Sequence, residues 1–364
     1  MTEVSRSGSV AVVGTGLIGT SIAMAAQGAG RDVDGFDADP DVLADAAASA
    51  SFRPARSLEA AVAEASIVFV CTPIPTIAPV VSEVLERTAG VVSDVGSVKS
   101  HVVEEVERVS GERASRYVGG HPMGGSERSG PEGASASVLD GIAWVLTPTA
   151  STDPEAIDRV RSLVSGVGAQ PILMDPGRHD RLVAVVSHLP QVASTALMGL
   201  AAEQEVGEPE ILQLAAAGFR DLTRLAASNP DLWAGILRAN QEAFSRALDL
   251  YIERLNRLRD LVAEPDGGLE EAFAEAKRAR LGLAAKPQVR AGVAVLQVPV
   301  PDRPGVLAEL TAALGAVEVN IEDLQIVHSP EGGRGTVHLT IAVGDLDRAL
   351  DCLHGGGFDA LRLA

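Results

Sequence analysis

Aromatic residues make up only 3% of this 364-residue chain, and it carries just 2 cysteines. With so few rings, the core must be built from Ala, Val and Leu in close contact. Cys71 and Cys352 lie far apart in sequence, so neither a disulfide framework nor a zinc-ligand spacing exists. No His-x-x-x-His, carboxylate pair or Cys cluster suggests a catalytic metal, so none is expected. Basic residues are outnumbered, 30 to 49, giving a formal charge of −19 that disfavours nucleic acid and anionic membrane as partners. An anionic substrate would therefore need Arg and His concentrated locally. The N-terminus lacks a basic-then-apolar signal pattern, and a cytoplasmic location is expected. The stretch from Leu182 to Ala202 has no Asp, Glu, Lys or Arg and is long enough to span a bilayer. It is interrupted by Ser187, His188, Pro190, Gln191, Ser194 and Thr195, which favours a buried interface helix.

What the chain does have is 46% apolar and 22% charged content, the balance of a globular protein. The stretch that organises it runs from Ser9 to Ser21. A short apolar run feeds into Gly14-Thr15-Gly16-Leu17-Ile18-Gly19, and an Ala-rich helix follows. Gly14 permits the tight turn, Gly16 lets a pyrophosphate approach the backbone, and Gly19 lets helix and sheet pack closely. The unpaired N–H groups of the helix start face the phosphates. A second apolar run, Val33 to Phe36, ends in Asp37, near the spacing of about 20 residues at which such folds place a ribose-binding acid. Asp37 would accept from ribose hydroxyls and, with Asp39 and Asp41, repel a 2′-phosphate. NAD is the cofactor expected.

Strand and helix alternate from Gly8 to about Leu173. Strand candidates are Val10–Val13, Val33–Phe36, Ile67–Val70, Val91–Ser93, Arg116–Val118, Ala143–Leu146 and Pro171–Leu173. Helical stretches between them include Pro40–Ser51, Leu58–Ala65, Ala78–Glu86 and Pro154–Val164. This predicts a mostly parallel sheet covered on both faces, with ligands beyond the carboxyl ends of the strands. From Arg178 to about Leu283 helical periodicity dominates, and the excess of apolar helix faces suggests a homodimer. From Gly292 the order β-α-β-β-α-β predicts a ferredoxin-like unit. The expected domains are 1–175, dinucleotide-binding and Rossmann-like; 176–285, all-helical; and 290–364, ferredoxin-like.

Three clusters carry candidate chemistry. In Asp94-Val95-Gly96-Ser97-Val98-Lys99, Ser97 can cap the next helix or orient a catalytic imidazole. In Gly119-Gly120-His121-Pro122, His121 stands where the sheet meets the ligand and can take a proton from a substrate hydroxyl while hydride leaves. The third is spread over the helical part. His188 and Pro190 interrupt an apolar helix, and Arg224 has the fork to clamp a carboxylate. His101, His179, His328, His338 and His354 are read as structural or surface residues.

The motifs Gly14–Gly19, Gly96-Ser97-Val98-Lys99, Gly120-His121-Pro122-Met123, Ser187-His188-Leu189-Pro190 and Phe219-Arg220-Asp221-Leu222-Thr223-Arg224 occur in the order seen in prephenate dehydrogenases. The resemblance covers about Val10 to Leu283. It implies NAD-dependent oxidative decarboxylation of prephenate to 4-hydroxyphenylpyruvate, on the route to tyrosine. By resemblance His121 binds the ring hydroxyl and assists hydride removal, Ser97 hydrogen-bonds that histidine, and His188 is a second active-site histidine. Arg224 holds a substrate carboxylate, Ser126 and Glu127 line the pocket, and Arg220 stands where another cation is common. Gly14, Thr15, Gly16, Leu17, Ile18, Gly19, Asp37 and Thr72 are expected around the cofactor. The family dimerises through its helical domain.

The last domain resembles an ACT domain, a module that binds amino acids. Asp302, Gly305, Val306, Asn320 and Ile321 match its turn and following strand, which implies regulation, by analogy by tyrosine. Arogenate, the amino analogue, is the alternative substrate. A hydroxyacid dehydrogenase is disfavoured because Arg178 to Leu283 contains only Lys277 as a lysine. A non-catalytic sensor of NAD and an amino acid would need no base such as His121.

Overall fold

The computed structural model describes residues 8–124, 130–208, 210–264, 268–283, 293–301, 303–328 and 334–363. They form two compact units, Met1–Thr195 with Leu225–Leu250, and Ala196–Arg224 with Tyr251–Ala364.

The first unit is built on β1 (Val10–Val13), α1 (Leu17–Gly28), β2 (Val33–Phe36), α2 (Pro40–Ala50), β3 (Arg53–Pro54), α3 (Leu58–Val62), β4 (Ile67–Val70), α4 (Ile74–Arg87), β5 (Val91–Asp94) and α5 (Ser100–Ser110). It continues with β6 (Tyr117–Pro122), β7 (Ala143–Thr147), α6 (Pro154–Gly166), β8 (Gln170–Leu173) and α7 (Pro176–Val183). Strand order in the 8-stranded sheet is β3-β2-β1-β4-β5-β6-β7-β8. All neighbours are parallel except β6 and β7. The order reverses between β1 and β4, and the crevice at their carboxyl ends is where such sheets bind ligands.

The pleat sends alternate residues to opposite faces. Val10 and Val12 pack with Ile22 of α1 and Val160 of α6. Ala11 and Val13 pack with Val81 and Leu85 of α4 and Val106 of α5 on the other side. The core is small-residue and aliphatic; Trp144, buried against Phe69 at 5.7 Å, is an exception. The two-residue β3 escapes sequence reading because it is short and contains Pro54; an edge position tolerates the missing donor. The bidentate pair of Arg53 with Asp34 fastens it. Helix α4 starts at Ile74 rather than Ala78, because Pro75 sits in the first turn where no N–H is required.

After α7 the helix continues through a π turn, Ala184–His188, into α8 (Leu189–Glu205). Leu189 N–H bonds Ala184 O, five residues back. Pro190, lacking an N–H, follows at the start of α8. The continuous helix Pro176–Glu205 is long and apolar enough to cross a membrane, with mean hydropathy 1.4. Its polar side chains nevertheless have protein partners: Gln191 Nε2 donates to Leu225 O at 2.8 Å, and Ser194 Oγ accepts from Ala226 N at 3.0 Å. Further on come α9 (Ala217–Thr223), α10 (Pro230–Ala239), α11 (Gln241–Ala263) and α12 (Gly268–Leu283), with no strand among the described residues of 178–283.

The second unit ends in β9 (Val293–Pro301), α13 (Val306–Ala316), β10 (Asp323–His328), β11 (Arg334–Ala342), α14 (Leu346–Gly355) and β12 (Leu361–Leu363). The sheet, ordered β10-β11-β9-β12, is antiparallel throughout. Leu296, Leu310, Leu314, Leu339 and Leu353 fill its core. This is the ferredoxin-like arrangement expected from element order.

Candidate active site

The glycine loop turns tightly between β1 and α1. Gly14 has φ +93, and a Cβ there would meet Cys71 C at 2.7 Å. A Cβ on Gly19 would collide with the carbonyl oxygen of Gly14. A Cβ built on Gly16 would meet no atom beyond its chain neighbours within 4 Å, so space is open at the start of α1, which has no side-chain cap. Asp37 Oδ2 accepts from Thr15 N at 2.7 Å, and Oδ1 accepts from Asp39 N at 3.0 Å. The carboxylate thus ties the loop to β2 and keeps acceptor capacity. Leu17 and Ile18 are half-buried in the first turn of α1. Thr72 Oγ1, just past β4, is buried without a hydrogen-bond partner among the described residues. An open cradle, unpaired helix N–H groups, an orphaned hydroxyl and a ribose-height acid fit a dinucleotide.

A buried polar cluster lies past the ends of β5 and β6. Strand β5 ends in Asp94, which accepts from Gly96 N at 2.7 Å and Tyr117 Oη at 2.5 Å, and pairs with Lys99. Lys99 is fully buried, and its ammonium also donates to Gly120 O at 2.7 Å. Burial lowers the Lys99 pKa below its usual value, against the opposing pull of Asp94 and Asp180. Burial beside Asp94 raises the Tyr117 hydroxyl well above its usual range.

His121 follows Gly120 on β6 and is half-buried. Its Nδ1 lies 2.8 Å from Nε2 of His179, with the rings edge to face at 5.0 Å. His179 Nδ1 lies 2.8 Å from Asp180 Oδ1. Asp180 also accepts the backbone N–H groups of Lys99 and Ser100, each at 2.8 Å. Burial disfavours the Asp180 charge, but the hydrogen bonds from His179, Lys99 and Ser100 outweigh it and hold the carboxyl below its usual range. Burial, followed by His179, Lys99 and His188, pushes His121 well below the usual histidine range; Asp180 opposes. His188, at the end of the π turn, is lowered to about 4, chiefly by burial. Its Nδ1 lies 3.3 Å from Asn240 Nδ2, and its ring stands edge-on to Trp233 at 6.1 Å. Asn240 Nδ2 also donates to Asp180 O at 2.9 Å.

The structure therefore gathers His121 and His188 with three residues that sequence reading passed over: His179, Asp180 and Asn240. His179 was read as structural or surface; it is buried against His121. Ser97 is half-buried on the loop after β5. It does not cap α5, because Asp180 does so from α7. Among the described residues His121 Nδ1 bonds His179 rather than Ser97. Arg220 and Arg224 belong to the second unit, Arg220 on α9 and Arg224 on the turn after it, both exposed. Ser126, Glu127 and Asp302 lie outside the described residues. In the ferredoxin-like sheet unit, Gly305 has φ +88 and opens α13, Val306 is buried, Ile321 packs on the core and Asn320 Nδ2 donates to Glu322 at 2.6 Å. No group of metal-ligating side chains occurs among the described residues.

Three family models match successive parts of the chain. The nucleotide-binding domain of prephenate dehydrogenase matches residues 21–173, and its dimerization domain matches residues 175–275. An ACT domain matches residues 294–354. A prephenate dehydrogenase of Bacillus subtilis is 32% identical over 353 residues, covering 94% of this chain and 95% of its own. The solved prephenate dehydrogenase from A. aeolicus, in complex with hydroxyphenyl propionate and NAD+, superposes with TM-score 0.71 at 29% identity, covering 78% of this chain and 100% of its own. An arogenate dehydrogenase of Synechocystis gives TM-score 0.67 at 30% identity, covering 75% of this chain and 98% of its own. This chain belongs to the prephenate dehydrogenase family of oxidoreductases.

Proposed function

We propose that the protein oxidises prephenate to 4-hydroxyphenylpyruvate and carbon dioxide with NAD as hydride acceptor. The observation that carries this reading is His121 near the strand ends of a dinucleotide fold, its Nδ1 2.8 Å from His179 Nε2. Prephenate is a non-aromatic ring with a carboxylate and a hydroxyl on opposite carbons. Loss of hydride and of carbon dioxide makes the ring aromatic, so the driving force resides in the substrate. The protein must align the carbinol hydrogen and hold the hydroxyl proton. His121 takes that second task, with Ser97 and His188 beside it. Arg224 clamps a substrate carboxylate, and Arg220, Ser126 and Glu127 complete the polar lining. Gly14, Thr15, Gly16, Leu17, Ile18, Gly19, Asp37 and Thr72 hold NAD, and Asp37 with Asp39 and Asp41 disfavours a 2′-phosphate.

The Bacillus subtilis relative, named for prephenate and aligned over 94% of this chain, supports prephenate over arogenate as the substrate. That region supports amino-acid control, with tyrosine as the inhibitor and Asp302, Gly305, Val306, Asn320 and Ile321 around it. The apolar side chains Leu182, Val185, Val186 and Leu232, between 45% and 66% exposed, support a homodimer, in the cytoplasm. The test is NADH formation with prephenate and with arogenate, each with and without tyrosine. Prephenate turnover suppressed by tyrosine is the expected result. Turnover of arogenate alone overturns the substrate, and indifference to tyrosine overturns the inhibitor.

A further inference from the structure

We propose that His179 is a positioning residue for the reaction, setting the tautomer of His121 and sharing its proton along a line from His121 through His179 to Asp180. The proposal rests on the reading of His121 as the base. Its ground is the chain of contacts, 2.8 Å from His121 Nδ1 to His179 Nε2 and 2.8 Å from His179 Nδ1 to Asp180 Oδ1.

The protons along this line follow from which atoms can donate. Asp180 is a carboxylate held by Lys99 N and Ser100 N, so it can only accept. His179 Nδ1 must then carry a hydrogen. In a neutral ring that leaves His179 Nε2 as an acceptor, and the hydrogen between the two rings belongs to His121 Nδ1. His121 Nε2 is left with a bare lone pair and no hydrogen-bond partner among the described residues. That is the state a base requires. An isolated histidine would divide itself between two tautomers, one of which is useless here.

The same line accommodates the proton once taken. As hydride leaves the carbinol carbon, the hydroxyl proton moves to His121 Nε2, and the Nδ1 proton shifts to His179 Nε2. The resulting imidazolium then sits against the Asp180 carboxylate rather than beside the Lys99 ammonium. When the bond to carbon dioxide breaks, its electron pair enters the ring, and the phenolate oxygen takes the proton back by the reverse shift. The charged and titratable groups facing His121 are His179 and Asp180 from α7, Lys99 from the loop after β5, and His188 from the π turn. Of the two imidazoles, only His179 contacts the His121 ring in a hydrogen bond.

The test uses full-length enzyme carrying His179→Ala, His179→Gln or His121→Asn, assayed with prephenate and NAD. Removing general-base help costs about a hundredfold or more in rate. His179→Ala is expected to lose kcat on that scale with little change in either KM, and to move the acid limb of kcat/KM to lower pH, because protonated His121 then has no route to the Asp180 carboxylate. His179→Gln, whose amide oxygen can still accept from His121 Nδ1, is expected to recover part of the loss. Nitrogen-15 spectra of histidine-labelled enzyme should show His121 Nε2 without a proton in the wild type and mixed tautomers in His179→Ala. Wild-type kcat and pH profile in both His179 variants, with His121→Asn inactive, would overturn the proposal and leave the base in place. So would a proton on Nε2 in the wild type, or a rate loss with tautomer and pH limb unmoved. Full turnover by His121→Asn would remove the base reading and this proposal with it.

Discussion

The ammonium of Lys99 donates to the carbonyl oxygen of Gly120 at 2.7 Å, gripping the backbone one residue before His121. Lys99 and Asp94 are both fully buried and pair with each other. Buried pairs of this kind are costly to break from one side, because the surviving charge has no water to turn to. Lys99→Met should therefore lower stability by about 3–5 kcal/mol, read by urea denaturation. A change below about 1 kcal/mol would mean that Asp94 finds other support.

The glycines of the first loop separate folding from binding. Gly19→Ala forces a Cβ into the carbonyl oxygen of Gly14, so its melting temperature should drop by several degrees. Gly16→Ala meets no protein atom within 4 Å, so it should melt like the wild type while the KM for NAD rises about tenfold or more. Equal losses of stability in both would contradict a phosphate cradle at Gly16.

Much of this was legible beforehand, for physical reasons. The strand at Val10–Val13 feeding three spaced glycines leaves few alternatives to a β-turn-α unit, and Asp37 follows from the second strand. His121 is visible because it trails an apolar run into a glycine-rich loop. His179 was not visible, because its partner is 58 residues away in sequence and nothing local marks the pairing. Lys99 and Asp94 looked like loop residues; only the fold, which packs both beneath β6, removes them from water. Asp180 as the cap of α5 was hidden in the same way, since caps are read from neighbouring residues and this one comes from 80 positions on.

Acid should destabilise the protein through His188 and His121. An ordinary histidine titrates at 6.5, whereas His188 in the fold is lowered to about 4. Between those values the unfolded chain binds a proton that the folded chain refuses, so stability falls as pH drops through that window. His121, also lowered, acts in the same sense. Each such group contributes up to about 1.4 kcal/mol per pH unit. His188→Gln should flatten the dependence of unfolding free energy on pH from 6.5 to about 4. An unchanged slope would show that His188 is not the group responsible.

Arg224→Ala should raise the KM for prephenate by about 10–100-fold, the value of a charge-assisted hydrogen bond of about 1.5–3 kcal/mol, with kcat much less affected. Arg224→Lys should restore only part, because an ammonium cannot make the paired contact. An unchanged KM in steady-state kinetics would assign the carboxylate to another cation.

The most direct test of the account is one variant measured in two ways. His121→Asn should bind NAD with the wild-type Kd by fluorescence titration, while NADH formation from saturating prephenate falls at least about a hundredfold. Turnover at the wild-type rate, with NAD binding equally intact, would show that the imidazole on β6 is not the group that receives the hydroxyl proton.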